Sequence, residues 1–330
     1  MIQVTQLCKR YDIVKKEEGL LGAVKGLFKR EIVHKLAVNE IEFTIQDGEC
    51  VAYIGGNGAG KSTTIKMLTG ILTPTSGQVL VNGIIPYENR VENAKQIGVV
   101  FGQRTQLLWD IAVIESYELL KYIYRIPEVE FRKRLNFFVE ELNLGPLLNI
   151  PVRQLSLGQR IRCEFLASFL HNPKTVYLDE PTIGLDVAVK ARIRQFIKDM
   201  NEQHGTTIIL TSHDMEDIED ICNRLIIIDE GKIIYDGNMN HIKKRFGQQR
   251  ILHLELKHPD RFQLPAVFGS LVQVVTSDES SNTIDLSFDQ ERISAAEVIS
   301  VMMGLYEVND LTISEPKIET IVREILTKGM

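Results

Sequence analysis

The chain has little of what membrane-spanning, secreted or nucleic-acid-binding proteins usually show. No apolar run approaches the roughly 18 residues of a spanning helix, and the first residues do not resemble a signal peptide. The net charge of −6 provides no overall attraction for nucleic acid. The four cysteines are scattered without a C-x-x-C pair, which argues against a disulfide framework or a zinc site. We therefore expect a cytoplasmic protein with no nucleic-acid partner, which meets a membrane only through another chain.

The length of 330 residues predicts two domains. Over residues 1–240, short apolar strands alternate with helical stretches, which predicts an α/β domain with an antiparallel β part. A helical subdomain is expected over about 104–172, where the apolar residues recur with a helical period. After residue 246 the pattern changes to short strands and two helices, so we expect a small α+β domain over 246–330.

Residues 12–35 interrupt the first domain as an insertion. Apolar side chains fall on one helical face there, and lysines and an arginine supply the opposite face. The apolar residues are Leu20, Leu21, Val24, Leu27 and Phe28. Such a helix packs on its own sheet edge, on a partner or on an anionic membrane surface, and the sequence leaves these alternatives open.

One stretch dominates the chain, the strand–loop–helix pattern that starts at Val51. It contains G-x-x-x-x-G-K-[ST], in which glycines allow a tight turn and backbone amides at a helix N-terminus hold phosphates. Lys61 is expected to reach the terminal phosphates, and the Ser62 hydroxyl to bind Mg²⁺. This pattern predicts binding of a nucleoside triphosphate. The residues assigned to it are Gly55, Gly56, Asn57, Gly58, Ala59, Gly60, Lys61, Ser62 and Thr63.

Two carboxylates follow a later apolar run, at Asp179 and Glu180. In a phosphoryl-transfer site one carboxylate holds the metal, and the next orients and deprotonates the attacking water. We assign these roles to Asp179 and Glu180 respectively. His213 ends another strand and is expected to contact the γ-phosphate and keep Glu180 in register. Gln103 is expected to place its side-chain oxygen on Mg²⁺ or on the water.

A second anion-binding point is predicted at Leu155-Ser-Leu-Gly-Gln159, where Ser156 and Gly158 begin a helix. It lies about 100 residues after the phosphate loop, in the helical subdomain, where one chain does not easily fold it onto its own phosphates. Two chains arranged head to tail would clamp each nucleotide between one phosphate loop and the other chain's Ser156.

With these motifs in this order, the chain resembles the nucleotide-binding subunits of ATP-binding-cassette (ABC) transporters over about residues 1–240. The resemblance implies a P-loop ATPase fold of the ABC type, ATP and Mg²⁺ as ligands, and ATP hydrolysis. Gly55 to Thr63 matches the Walker A motif, Gln103 the Q-loop, Ser156 to Gln159 the signature motif, Val176 to Glu180 the Walker B motif with the catalytic glutamate, Gly184 to Asp186 the D-loop, His213 the switch histidine, and Tyr11 the aromatic residue that stacks on adenine.

Gly56 stands where proline is common in the Walker A motif, a change expected to be harmless, and the chain departs from the family pattern at two further positions. Leu157 replaces the usual second glycine of the signature motif, and Ile183 stands where the D-loop often has serine. Neither change removes a phosphate ligand, but both alter the expected dimer interface.

The single cassette, the insertion and the C-terminal domain most resemble the stand-alone ATPases of bacterial exporters with ABC-2-type permeases. This implies an integral membrane permease and a second nucleotide-binding subunit, identical or closely related, as partners. It also implies a place on the cytoplasmic face of the cell membrane.

Two other functions compete with export. Soluble cassette ATPases that act on ribosomes normally carry two cassettes in one chain, and repair-type members carry long coiled coils; this sequence has neither feature. Uptake importers share every motif and differ only in their permease and binding protein. The transported substrate is not encoded here, because its site lies in the permease.

Overall fold

The computed structural model describes residues 1–14, 32–101, 105–246, 249–278, 282–314 and 318–328. Within them the chain forms two compact units, Met1–Gly237 and Asn238–Met330. The division falls slightly before residue 240, where we expected the first domain to end, so a helix at Met239–Phe246 belongs to the second unit.

The strands of the first unit form two sheets. They are β1 (Ile2–Val14), β2 (Ile32–Ile45), β3 (Cys50–Ile54), β4 (Ser76–Val81), β5 (Ile97–Phe101), β6 (Thr175–Asp179), β7 (Thr207–Thr211), β8 (Arg224–Asp229) and β9 (Lys232–Asn238). The smaller sheet is antiparallel with the order β2-β1-β4. Although the apolar run at residues 1–11 suggests an edge strand, β1 is the central strand of this sheet, because β2 pairs with one side of it and β4 with the other.

The larger sheet has the order β5-β6-β7-β3-β8-β9, and its first five strands run parallel. All side chains of β3 and β7 are buried, as expected for strands that are covered on both faces. Since β7 lies between β6 and β3, the carboxyl ends of these three strands are neighbours. Open parallel sheets bind ligands at such strand ends.

The helices of the first unit are α1 (Lys61–Leu68), α2 (Arg90–Ala94), α3 (Val113–Tyr124), α4 (Glu128–Glu141), α5 (Leu157–Phe169), α6 (Val187–Glu202) and α7 (Met215–Ile221). The helical pattern expected from about residue 104 therefore begins only at Val113. Before it, side chains bind the backbone groups that a helix would use: the amide of Leu107 donates to Thr105 Oγ1, and that of Leu108 to Ser116 Oγ.

The core of this unit is shared by both sheets and α1. Ile65, Met67 and Leu68 of α1 belong to one buried cluster with side chains from both sheets. Helix α5 packs on α6 through aromatic side chains, since Phe165 and Phe169 of α5 both contact Phe196 of α6, with ring centroids 5.8 and 5.2 Å apart. The helix that carries the Ser156 motif thus has a fixed place on the domain.

The β1–β2 ribbon occupies both ends of the predicted insertion. The pairing continues to Val14 opposite Ile32, so residues 12–14 and 32–35 are strand. The predicted amphipathic helix falls largely on residues 15–31, which lie outside the described residues.

The second unit is built on an antiparallel sheet. Its elements are α8 (Met239–Phe246), β10 (Gln249–Leu256), β11 (Val272–Asp278), β12 (Thr283–Asp289), α9 (Ala295–Leu305), β13 (Val308–Ser314) and α10 (Ile318–Lys328). The strand order is β11-β12-β10-β13, and Val298 and Met302 of α9 pack into the apolar cluster of the sheet. The sequence analysis missed α8 and β13.

The cysteines are free thiols, as expected. Cys50, Cys163 and Cys222 are buried, and Cys8 is half-buried.

Candidate functional site

The predicted phosphate loop connects β3 to α1. Gly60 has φ +116°, and a Cβ there would lie 2.5 Å from the carbonyl oxygen of Ala37. A Cβ on Gly55 would lie 2.0 Å from the carbonyl oxygen of Ile228. Only glycine fits these two positions, because one needs a left-handed backbone and both meet neighbouring main chain. The loop is therefore held closely against β2 and β8.

The first turn of α1 points its amide groups at the loop. It contains no acidic side chain, so nothing from the helix itself offsets the positive end of its dipole. The Lys61 ammonium donates hydrogen bonds to the carbonyl oxygens of Gly55 and Gly56, at 2.7 and 3.1 Å. Burial lowers the pKa of Lys61, while the carboxylates of Glu180 and Asp179 act in the opposite direction. These features suit the binding of an anion.

Asp179 and Glu180 stand at the carboxyl end of β6. Thr211 Oγ1 donates to Asp179 Oδ1 at 2.6 Å, and the amide of Glu180 donates to the Thr211 carbonyl oxygen at 3.1 Å. Glu180 has φ +53°, a conformation that non-glycine residues rarely adopt and that is often found at functional sites. The end of β7 thus holds the Asp179 carboxylate and the backbone of Glu180.

Glu180 and His213 face each other at this edge. The amide of His213 donates to Glu180 Oε2 at 3.3 Å, and His213 Nε2 lies 3.4 Å from Glu180 Oε1. Oε1 is a buried atom that accepts no hydrogen bond within the described structure. A buried carboxylate oxygen without a donor is an acceptor available to a substrate or a water molecule.

These groups line one cavity of about 800 Å³. The predicted residues in its wall are Tyr11, Gly56, Asn57, Gly58, Gly60, Lys61, Ser62, Thr63, Asp179, Glu180 and His213. Gly55 lies at the base of the loop, and Ala59 is buried at 4% exposure, so neither reaches the cavity. The size suits a small-molecule ligand.

Other residues of the cavity wall were not predicted from the sequence. Asp12, Lys35 and Ile71 are among them. Lys35 is the cross-strand partner of Tyr11 in the β1–β2 ribbon. Only the strand register brings Lys35 to the cavity, and no motif in the sequence marks it.

Four predicted nucleotide ligands lie elsewhere in this chain. Ser156, Gly158, Gln159 and Asp186 do not line the cavity. Ser156 begins α5 in a reciprocal cap, where its hydroxyl accepts from the Gln159 amide and its own amide donates to the Gln159 side chain. Asp186 begins α6 and accepts from the amide of Val189. Gln103 lies outside the described residues.

The metal-ligand prediction rests on Ser62 and Asp179. Both line the cavity, Ser62 from the start of α1 and Asp179 from the end of β6. Within the described ranges, no three histidine, cysteine, aspartate or glutamate side chains are grouped to hold a metal. Mg²⁺ usually takes one or two protein ligands together with substrate phosphates, so this sparse donor set fits it.

Comparison with known proteins identifies the family. Residues 38–183 match the family described as ABC transporter. The linearmycin resistance ATP-binding protein LnrL of Bacillus subtilis is 30% identical over 299 residues, which are 88% of this chain and 94% of LnrL. The chain belongs to the ABC transporter ATP-binding proteins. It is accordingly an ATP-binding ABC ATPase, with the P-loop fold that the motifs predicted.

Other ABC proteins resemble this cassette over most of their length. The energy-coupling factor transporter ATP-binding protein EcfA2 of Clostridium perfringens is 30% identical over 261 residues, 78% of this chain and 88% of EcfA2. The dimeric post-hydrolysis structure of the ATP-binding cassette MJ0796, bound to ADP and Pi, is 26% identical, with a TM-score of 0.60. That match covers 72% of this chain and 99% of MJ0796. In the described part of the cassette, no helix has the length and apolarity to cross a membrane.

Proposed function

We propose that this ABC ATPase powers export through a separate ABC-2-type membrane permease, by ATP-driven pairing of two cassettes. The observation that carries the ATPase part is the cavity that joins Lys61, Glu180 and His213 at three adjacent strand ends. The exporter part rests on the resemblance of the whole chain to stand-alone exporter ATPases and on its likeness to LnrL, whose name describes a resistance function.

Hydrolysis requires a base beside the γ-phosphate. We assign this role to Glu180, whose buried Oε1 accepts no hydrogen bond from the residues that the structure describes and is free to take the proton of the attacking water. His213 holds that carboxylate through its amide and contacts the γ-phosphate. Lys61 and the amides of the loop balance the charge that develops on the phosphate oxygens.

Mg²⁺ would be held by the Ser62 hydroxyl and Asp179, with Gln103 as the further ligand expected from the sequence. When bound, the ion would supply positive charge that offsets the charge of the nucleotide phosphates. Thr211 positions Asp179 for this task through its hydroxyl, 2.6 Å from Oδ1. The aromatic ring of Tyr11, 37% exposed at the cavity wall, supplies a stacking surface for adenine.

A second cassette would complete the site. Ser156, Gly158, Gln159 and Asp186 are exposed or half-buried and lie off the cavity of their own chain. A partner arranged head to tail would bring its copies of these residues to the nucleotide. The dimeric state of MJ0796 with ADP and Pi supports this arrangement.

The permease would contact the surface next to the Gln103 segment. Leu108 and Trp109 follow shortly after that segment and are 45% and 49% exposed, so they present apolar surface to a partner. Attachment there would place the cassette on the cytoplasmic face of the membrane. The likeness to EcfA2 favours a second candidate, an uptake system of the energy-coupling type, with the same ATPase chemistry.

Co-purification identifies the partner. Tagged Glu180→Gln protein, loaded with ATP, is recovered from gently solubilised membranes, and the bound proteins are identified by mass. An ABC-2-type membrane protein is the expected partner. A permease of the energy-coupling type would replace export by uptake, and ribosomes or DNA as the sole partners would contradict transport. The Lys61→Ala protein serves as the matched control without bound ATP.

A further inference from the structure

A ladder of ion pairs connects α6 to α7. Cations spaced four residues apart on α6 each contact a carboxylate on or beside α7. The pairs are Lys190 with Asp214 at 2.7 Å, Arg194 with Asp217 at 2.5 Å, and Lys198 with Asp220 at 2.6 Å. These two helices follow the two segments that carry Ile183 and His213 to the cavity wall.

Asp217 differs from the other carboxylates of the ladder because it is fully buried, with 0% exposure. Its Oδ1 accepts from Arg194 Nε, and its Oδ2 accepts from the hydroxyl of Thr182, which is itself 2% exposed. A buried carboxylate is tolerated when a cation and hydrogen bonds compensate for lost hydration. Both oxygens of Asp217 are therefore committed to fixed partners.

The two partners of Asp217 flank the 183–186 loop. Thr182 precedes this loop and lies two residues after Glu180, while Arg194 lies in the helix that follows it. Asp217 itself is in the first turn of α7, directly after the His213 turn. The Asp217 side chain thus joins three segments: Thr182 ahead of the 183–186 loop, Arg194 of α6, and the first turn of α7 that follows His213.

We propose that Asp217 is a positioning residue for hydrolysis, which holds the Thr182 segment and the His213 turn in one register so that Glu180 and His213 stay opposed. The contact that Asp217 preserves is the hydrogen bond from the His213 amide to Glu180 Oε2, which are 3.3 Å apart. A shift of either segment lengthens this contact and misplaces the carboxylate relative to the water. The inference rests on the proposed roles of Glu180 and His213.

The outermost ion pair of the ladder, Lys198 with Asp220, serves as a comparison for the buried pair of Arg194 with Asp217. Lys198 and Asp220 have side chains 28% and 43% exposed, and they lie further along both helices from the loop. Exposed pairs of this kind contribute little to stability. Asp220→Asn is therefore a matched control for Asp217→Asn, with the same chemical change on the same helix.

The test measures steady-state ATP hydrolysis by the purified chain. Thr182→Val removes only the hydroxyl that bonds Asp217, and we expect kcat to fall about tenfold, equivalent to about 1.4 kcal/mol of transition-state stabilisation. The KM for ATP should stay within about twofold, because Thr182 does not line the cavity. Thr182→Ser restores the hydroxyl and should restore kcat.

Asp217→Asn is the second variant of the hydrolysis test. It weakens the contacts to both Arg194 and Thr182, so kcat should fall by more than tenfold, whereas Asp220→Asn should match the wild type. Unchanged kcat in Thr182→Val would overturn the inference, as would no rescue by serine. Glu180→Gln is measured in the same series. If it still hydrolyses ATP, the proposed role of Glu180 fails; if it does not and Thr182→Val is normal, only the positioning role fails.

Discussion

Acidification is expected to destabilise the first unit through His171, which follows α5. Its Nε2–H donates to the carbonyl oxygen of Ile97 at 2.9 Å, and its ring stacks on Tyr124 with centroids 4.0 Å apart. Nδ1 is buried and has no hydrogen-bond partner in the described structure. Protonation would put a second N–H there without an acceptor and place a charge near Arg134. Burial therefore lowers the pKa of His171 from 6.5 to about 4.

The sign of the effect follows from proton linkage. Between pH 6.5 and pH 4 the unfolded chain binds a proton at His171 that the folded chain does not, so stability falls as the pH falls. The contribution of unprotonated His171 to the free energy of unfolding is fully present above pH 6.5. A shift from 6.5 to about 4 corresponds to about 3.4 kcal/mol in total, of which about 2.5 kcal/mol is lost by pH 4.5.

The assay is urea unfolding at pH 7.5 and pH 4.5, followed by the fluorescence of Trp109, the single tryptophan. His171→Phe keeps a ring against Tyr124 but cannot titrate. At pH 7.5 the variant should be less stable by about 1 kcal/mol, because it lacks the hydrogen bond to Ile97.

Between the two pH values the wild type should lose about 2.5 kcal/mol more than His171→Phe. Equal losses in wild type and His171→Phe would refute the reasoning.

Two further predictions concern the nucleotide and the insertion. Lys61→Ala should weaken ATP binding at least tenfold in an equilibrium titration, which corresponds to a loss of about 1.4 kcal/mol of binding free energy. Unchanged affinity would contradict the phosphate-loop assignment. Replacing residues 15–31 by Asn-Gly joins Val14 to Ile32, which are already paired, and should leave ATP affinity unchanged. Weaker sedimentation with membranes would then assign 15–31 a role in attachment, and full attachment would support packing within the chain.

The strand-end motifs of the cavity could be predicted from sequence because local residue order determines them. A glycine-rich turn between a buried strand and a helix, or two carboxylates after an apolar run, brings its chemistry with it. Parallel pairing then places the ends of β3, β6 and β7 side by side. The predicted residues from these three segments, apart from Gly55 and Ala59, accordingly meet in one cavity.

What the sequence analysis missed depends on register or on tertiary packing. Lys35 reaches the cavity wall only because β2 pairs with β1 at Tyr11. Asp217 appears in an acidic stretch that resembles an ordinary solvated helix face, yet it is buried between Thr182 and Arg194. The late start of α3 at Val113 likewise depends on side-chain hydrogen bonds to the backbone, which helical periodicity does not reveal.

The most direct test of the account measures ATP hydrolysis and molecular mass for Glu180→Gln. ATP binding should persist, hydrolysis should fall by at least about a hundredfold because the general base is removed, and the ATP-bound protein should have the mass of a dimer. Glu230 is the matched control: it also has a positive φ, 45°, but is exposed and absent from the cavity wall. Glu230→Gln should hydrolyse ATP like the wild type. Undiminished hydrolysis by Glu180→Gln would contradict the central claim that Glu180 activates the attacking water.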